Sequence, residues 1–371
     1  MDRWLLIAGD FTPLGGMDRA NHALALGLAR RQAHVDLVTH RAWPDLSLPN
    51  VGVRTVSRPL GSHLLGLPRL VMTANRAARR FPGRIVGNGG NATSPDITWI
   101  HYLHAAYTPT AAGGTARLTT AAAARYYRRR ERTAIGAARY IVCNSRRTAV
   151  DVARAFEVAE DRLRVVYYGS DPAAFAPADD EVRRRARLAL GWPEERPVVL
   201  FAGALGDRRK GFDRVFEAWT TLATDGAWDM DLAVVGHGAE LPAWRARAAR
   251  AGLQGIRFLG FRRDVATIMA ACDVMVHPAR YEAYGLAVHE SLCRGVPVIV
   301  SAAAGVAERY SGPLRELLID EPESAGEIAA RLRRWREGRQ RYALAAASVG
   351  EQLRARTWDD MAAEFVRAVA A

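Results

Sequence analysis

Short apolar runs alternate with helix-period stretches along the whole chain. WLLIAGDF (4–11) reads as a buried strand, followed by the turn TPLGG and a helix from about Met17 to Arg31. HVDLVTH (34–40), DITWIHY (96–102) and ARYIVCNS (138–145) repeat the strand signal. The pattern restarts at PVVLFAGAL (197–205) and continues through DLAVVGHG (231–238), IRFLGF (256–261), DVMVHPA (273–279) and VPVIVSA (296–302). Strand–turn–helix repetition builds parallel sheets with crossover helices. A segment rich in Pro, Asp and short polar breaks (165–197) separates the two series. The expected fold class is α/β: two facing Rossmann-like, doubly wound parallel-sheet domains, 1–172 and 190–354, with a cleft between them. In such sheets ligands lie beyond the C-terminal ends of the strands, so the chemistry is sought in the βα loops.

Length and composition agree with this picture. The 371 residues suit two domains of roughly 150–200 each, and 49% hydrophobic with 25% charged residues excludes disordered, collagenous and coiled-coil classes. Cys143, Cys272 and Cys293 are too few and too scattered for a disulfide framework or a zinc site, so a reduced, cytoplasmic chain is expected. No apolar stretch approaches the roughly 18 residues of a membrane span, and the first apolar run is too short for a secretory signal.

Charge changes the picture more. The chain carries 51 arginines and a single lysine, Lys210, within a net charge of +13. Residues 1–172 hold 24 basic and 12 acidic side chains, whereas residues 173–371 hold 28 and 27. This imbalance points to an anionic ligand or surface on the first half, such as a phosphate-bearing acceptor, acidic lipid or nucleic acid. A solvated face decorated with arginine is the plainer reading.

Candidate chemistry gathers after the strands. In HPARYEAYGLAVHESLCRGVPVIVS (277–301) a strand ends at His277 and a helix starts near Leu286. A helix N-terminus is a ready anion site, and Gly285 allows close backbone approach. Glu282 and Glu290 are eight residues apart, a spacing that returns to one helical face, so both can border one cleft and receive sugar hydroxyls. A solvated Glu282 and an arginine-paired Glu290 are the structural alternative. FAGALGDRRKGFDRVFEAW (201–219) delivers Arg208, Arg209 and Lys210 to the same edge. Where nearly every cation is arginine, a lone compact ammonium suits a diphosphate. Gly236 follows another strand, and Phe261 offers either a shelf for a base or a core side chain. In the first half, Gly15-Gly16 precedes a helix, and His101 and His104 follow a strand without the third ligand a zinc site requires.

Taken together, Gly15-Gly16, His101, VVYYGSDPAAF, RRKGF, VVGHG, FLGF and the Glu282-x7-Glu290 block followed by RGVPVIVSAAAGVAE resemble the retaining glycosyltransferases of family 4 from about residue 5 to residue 365. The resemblance implies the GT-B fold, with a C-terminal helix (355–371) crossing back to the first domain. It implies catalytic roles for Lys210 at the donor diphosphate, Glu282 beside the donor hexose and His101 near the transferred sugar, with His104 as the alternative. It further implies donor contacts from Gly16, Arg209, Gly236, Phe261, Tyr284, Gly285 and Leu286, and a ribose contact from Glu290. The family's usual Gly-Arg pair is Gly203-Ala204 here, so Arg208 or Arg209 takes the place of that arginine.

The activity implied by the resemblance is hexose transfer from a UDP-, GDP- or ADP-type sugar to the hydroxyl of a polysaccharide, lipid-linked saccharide or glycolipid, with retention and without a metal. No cofactor is expected, and no DxD pair near a strand end calls for Mg²⁺. In the family's front-face picture a departing phosphate oxygen takes the acceptor's proton. Arg125, Arg128 and Arg129, with His104, are the candidates for acceptor or membrane contact. HLLGLPRLVM (63–72) and the arginines after it offer an anionic membrane surface a landing site, unless Leu64, Leu65 and Leu67 are core. The expected location is cytoplasmic, peripheral on the inner face of the membrane. A GT-B-fold epimerase or phosphorylase is the enzymatic alternative. A basic nucleic-acid-binding protein is the non-enzymatic one, although nucleic acid is not the expected partner, since the arginine clusters follow no recognised motif.

Overall fold

A computed structural model describes residues 2–108, 114–206, 208–224 and 228–370 of the chain. The described residues form two compact units. One holds those up to Gly169 together with those from Arg356 onward, and the other runs Ser170–Ala355. Each is built on a parallel sheet, and the fold class is α/β with two Rossmann-like units.

In the first unit seven strands lie in the spatial order Val51–Thr55, His34–Thr39, Arg3–Ile7, Arg84–Asn88, Ile97–Ile100, Tyr140–Cys143 and Leu163–Val165. Leu5 sits opposite Asp36 on one side and Ile85 on the other. The run 4–11 breaks at Ala8-Gly9, and Asp10–Phe11 pairs separately with Arg41–Ala42. Val51–Thr55 and Leu163–Val165 are edge strands with mostly half-exposed or exposed residues, and Arg84–Asn88 has only Ile85-Val86 as an apolar pair. None of the three carries a readable apolar run, so pattern alone does not predict them.

The helix Gly16–Arg30 buries Ala20, Ala23, Leu24 and Leu28 against this sheet. At the far end of the sequence, Thr357 and Asp360 form a capping box that starts the helix Trp358–Ala368. Its buried Met361, Ala362 and Phe365 belong to the first unit, with the Phe365 ring 4.9 Å from Trp99 and 6.5 Å from Trp4.

The second sheet has six strands in the order Ile256–Gly260, Asp231–Val235, Val198–Ala202, Val274–His277, Val298–Ser301 and Leu318–Ile319. Leu200, Phe201, Val234, Val276 and Val300 are wholly buried, as suits strands covered by helices on both faces. At the opposite end from the βα loops, Asp273 binds Arg183, Arg187 and Arg339 and accepts the Val198 N–H at 2.7 Å. Much of this unit's dense charge is therefore internal pairing, in keeping with its near-zero balance.

Candidate active site

Strand order in the second sheet reverses between Val198–Ala202 and Val274–His277. Connections leaving such neighbours run to opposite faces and leave a crevice at the strands' C-terminal edge. The loop after Ala202 brings Lys210 to this edge, and the loop after His277 brings Glu282. Lys210 Nζ donates to Glu282 Oε2, which also accepts the Nε2–H of His277 at 3.0 Å. Their side chains are only 16%, 12% and 1% exposed, so this is a largely desolvated pair with a histidine behind it.

Burial pushes the Glu282 carboxyl up. Lys210, the His277 bond and Arg209 outweigh that, holding it well below the usual carboxylate range. His277 is pushed down by burial and by the Lys210 charge, so it stays neutral and its Nδ1 is buried without a partner among the described residues. His277 is a member of the site that the sequence marked only as the end of a strand. Of the two arginines offered for the missing Gly-Arg pair, Arg208 adopts φ +55° and pairs with Glu240 at 3.3 Å. Arg209 is the one whose charge reaches Glu282, its Nη1 donating to the Tyr281 carbonyl at 3.3 Å.

The loop 280–286 is held from beneath. The Glu282 and Tyr284 carbonyls accept the N–H groups of Gly305 and Val306 at 3.1 and 2.7 Å. Tyr284 is fully buried, so it offers backbone rather than side chain. Its hydroxyl donates to His289 Nδ1 at 2.7 Å, His289 Nε2–H donates to Ser170 Oγ at 2.6 Å, and Ser170 donates to the Leu353 carbonyl at 2.7 Å. Gly285 has φ +107°, and a Cβ there would fall 2.9 Å from Val306 Cγ1. The helix Leu286–Cys293 opens at this glycine with no side-chain cap, leaving its first N–H groups at the sheet edge. Glu282 stands in the loop before this helix, so the eight-residue spacing does not put it on a helical face with Glu290. Glu290 is 9% exposed in the second turn. Phe261 is 62% exposed with His237 edge-on at 5.8 Å, which removes the core reading and leaves a ring open to a ligand. Gly236 has φ +141° with its α-carbon against the Gly203 carbonyl, so close loop packing accounts for it.

In the first unit Gly16 begins the helix that follows Gly15, whose φ is +80°. Asp18, in the first turn, was not singled out by sequence. Burial, with the neighbouring Asp10 carboxylate, raises its pKa to about 7 against the pull of Arg41 and Arg58.

His101 is buried in a hydrogen-bond network. Asn144 Nδ2 and the His101 ring both engage the Tyr168 hydroxyl, at 3.0 and 2.6 Å, and Nε2 lies 3.2 Å from Asn21 Oδ1. Burial alone lowers its pKa to about 3. Both ring nitrogens are engaged inside the unit. His104 keeps a third of its side chain exposed.

Of the arginine cluster, Arg125 and Arg129 face solvent. Arg128 is instead engaged internally, its Nε donating to the His104 carbonyl at 3.1 Å, and Arg130 likewise donates to the Gly90 carbonyl. Among the described residues no group of three His, Cys, Asp or Glu is gathered as metal ligands.

Comparison with known proteins joins these features. The family described as Glycosyltransferase Family 4 matches residues 14–174, and Glycosyl transferases group 1 matches residues 196–337. A D-inositol 3-phosphate glycosyltransferase of Corynebacterium aurimucosum is 27% identical over 63% of this chain, a match spanning 62% of that relative's length. The lipopolysaccharide glucosyltransferase WaaG of Escherichia coli is 24% identical over 90% of this chain and 92% of its own. Among solved structures, WaaG superposes with a TM-score of 0.75 at 21% identity, covering 99% of this chain and 100% of that one. Anabaena HepE in complex with UDP and glucose superposes with a TM-score of 0.74 at 18% identity, covering all of both chains. These likenesses show the GT-B fold, and with family matches over both units the chain belongs to the glycosyltransferases of family 4.

Proposed function

We propose that the protein moves a hexose from a nucleoside-diphosphate sugar, UDP-linked in the first instance, to an acceptor hydroxyl with retention at the anomeric carbon and without a metal. The observation that carries this reading is the desolvated Lys210–Glu282–His277 group at the switch point of the second sheet, beside the helix that opens at Gly285. In the transition state the leaving diphosphate gains negative charge while the sugar becomes oxocarbenium-like. Lys210, Arg209 and the N–H groups after Gly285 meet the first change; Glu282, held ionised, meets the second. The donor's phosphates compete with Glu282 for Lys210, which frees the carboxylate to take sugar hydroxyls. The likeness to HepE, whose crystal structure holds UDP and glucose, supports the choice of UDP.

Glu290 supplies the test of the nucleotide end. In a thermal-shift screen, UDP and UDP-sugars are expected to stabilise the protein above GDP and ADP compounds. Glu290→Ala is expected to weaken UDP binding about tenfold by calorimetry, as loss of a hydrogen bond to a charged acceptor does. Unchanged UDP affinity in that variant removes the ribose role.

One observation supports an acceptor held at a membrane surface. On the helix His63–Ala78, Leu67, Leu70 and Ala74 face the core, but Leu64, Leu65 and Met72 are 37%, 51% and 48% exposed, and Leu60 just before it is 95% exposed. Of the three leucines weighed as core, only Leu67 is. Arg69, Arg76, Arg79 and Arg80 are exposed as well. Exposed apolar side chains fringed by arginines suit anionic lipid headgroups over acyl chains. No helix among the described residues is long and apolar enough to cross a membrane. Co-sedimentation with liposomes is expected to rise with phosphatidylglycerol content and to fall in Leu65→Ser/Met72→Ser; equal binding to neutral liposomes sinks the membrane reading.

A further inference from the structure

The first unit contains a buried carboxylate that neither the fold nor the donor site explains. Glu131 is 1% exposed, on the helix Gly114–Ala137. Its Oε1 accepts both the backbone N–H of His104 at 2.9 Å and the ring Nδ1–H at 2.6 Å. Its Oε2 is buried with no partner among the described residues. A half-satisfied buried carboxylate is costly, and an apolar side chain would fill the space more cheaply. What the carboxylate does in return is fix one imidazole.

The fixing is thorough. The His104 ring stacks on Tyr127 with centroids 4.6 Å apart and planes 21° from parallel, and Tyr102 meets it edge-on at 4.8 Å. Arg128 holds its carbonyl. With Nδ1 as donor, the neutral ring has its lone pair on Nε2, which has no hydrogen-bond partner among the described residues, on a side chain 33% exposed. His104 follows the strand Ile97–Ile100, at the same C-terminal sheet edge as the Gly15-Gly16 loop. Tyr127 also lies parallel to His63, 6.5 Å away, extending an aromatic wall from the ring.

We propose that His104 Nε2 accepts a hydrogen bond from a hydroxyl of a saccharide or cyclitol acceptor, that Tyr127 backs the imidazole, and that Glu131 is the positioning residue that keeps the proton on Nδ1 and the lone pair on Nε2. This rests on the glycosyl-transfer reading above. It assigns acceptor recognition to a lone pair, so a polyol fits and a carboxylate does not.

The test has two arms on the full-length protein. Long-range ¹H–¹⁵N spectra are expected to show the neutral His104 ring carrying its proton on Nδ1, and Glu131→Gln is expected to give a mixture of tautomers. Transfer from UDP-glucose is then followed with myo-inositol and n-octyl glucoside as probe acceptors. His104→Leu is expected to raise the acceptor KM about tenfold with UDP affinity unchanged. His104→Gln, whose side-chain oxygen still accepts, is expected to stay within about threefold of wild type. An Nε2–H tautomer in wild type, or a wild-type acceptor KM in His104→Leu, overturns the proposal. Failure of the glycosyl-transfer reading shows separately, as wild-type protein that neither binds nor consumes UDP-glucose, and leaves the tautomer result standing.

Discussion

Lys210→Ala is expected to lower turnover about 10²–10³-fold, the usual cost of removing one preorganised charge from a developing anion. Two losses combine in it. The diphosphate loses its ammonium, and Glu282 loses the cation that holds its carboxyl ionised against burial. Glu282 then keeps only the His277 bond and the more distant Arg209 charge and rises toward the protonated state, so both ends of the transition state suffer at once. Breaking one side of a buried pair is also expected to lower the melting temperature. Lys210→Arg is not expected to rescue the rate, because a planar fork does not reproduce a compact ammonium held in a largely buried position against Glu282. In a double-mutant cycle with Glu282→Gln, the two losses are expected to be strongly non-additive, since the residues act as one unit. Steady-state rates for the four proteins decide it, and near-wild-type transfer by Lys210→Ala contradicts the assignment.

Gly236→Ala is expected to be the most damaging single methyl in the second unit, costing about 2–4 kcal/mol by urea unfolding. Its φ of +141° suits glycine, and an added Cβ would collide with the Gly203 carbonyl oxygen. Neither side can yield easily, because the Gly203 N–H is bonded to the Val235 carbonyl at 3.0 Å and the Gly236 N–H to the Gly260 carbonyl at 2.8 Å. Since Gly203 packs on the Lys210 stem, the displacement is expected to reach the site and weaken UDP binding as well. Gly252→Ala is the control. Gly252 has φ +66°, yet nothing lies within 4 Å of a Cβ there, so only the backbone strain of about 1 kcal/mol is expected. Equal stability losses in the two variants would show that close packing at Gly236 contributes nothing.

The legible parts of the fold are those set by local pattern. The strands around Leu5, Ile141, Leu200, Val234, Val276 and Val300 are continuous apolar runs, and burial on both faces requires such runs. Edge strands such as Val51–Thr55 face partly to solvent, so nothing in their composition separates them from loops. Lys210 was legible because it is the only lysine in an arginine-rich chain, and Gly285 because a helix follows it. His277 was not, because its role comes from Glu282 folding back over it, a contact that spacing does not encode. His101 and His104 look alike in sequence. Only tertiary partners separate them: Tyr168 and Asn21 enclose the first, while Glu131 orients the second and leaves one nitrogen without a partner among the described residues. Arg128 likewise reads as a free cation until its carbonyl partner is known.

The most direct measurement is calorimetric titration of UDP and of uridine into the wild-type protein and into Lys210→Ala. If Lys210 grips the diphosphate, wild type binds UDP at least about tenfold more tightly than uridine, as charge-assisted bonds to phosphate require, and the variant loses most of that margin while its uridine affinity is unchanged. The same UDP-over-uridine margin in both proteins would contradict it.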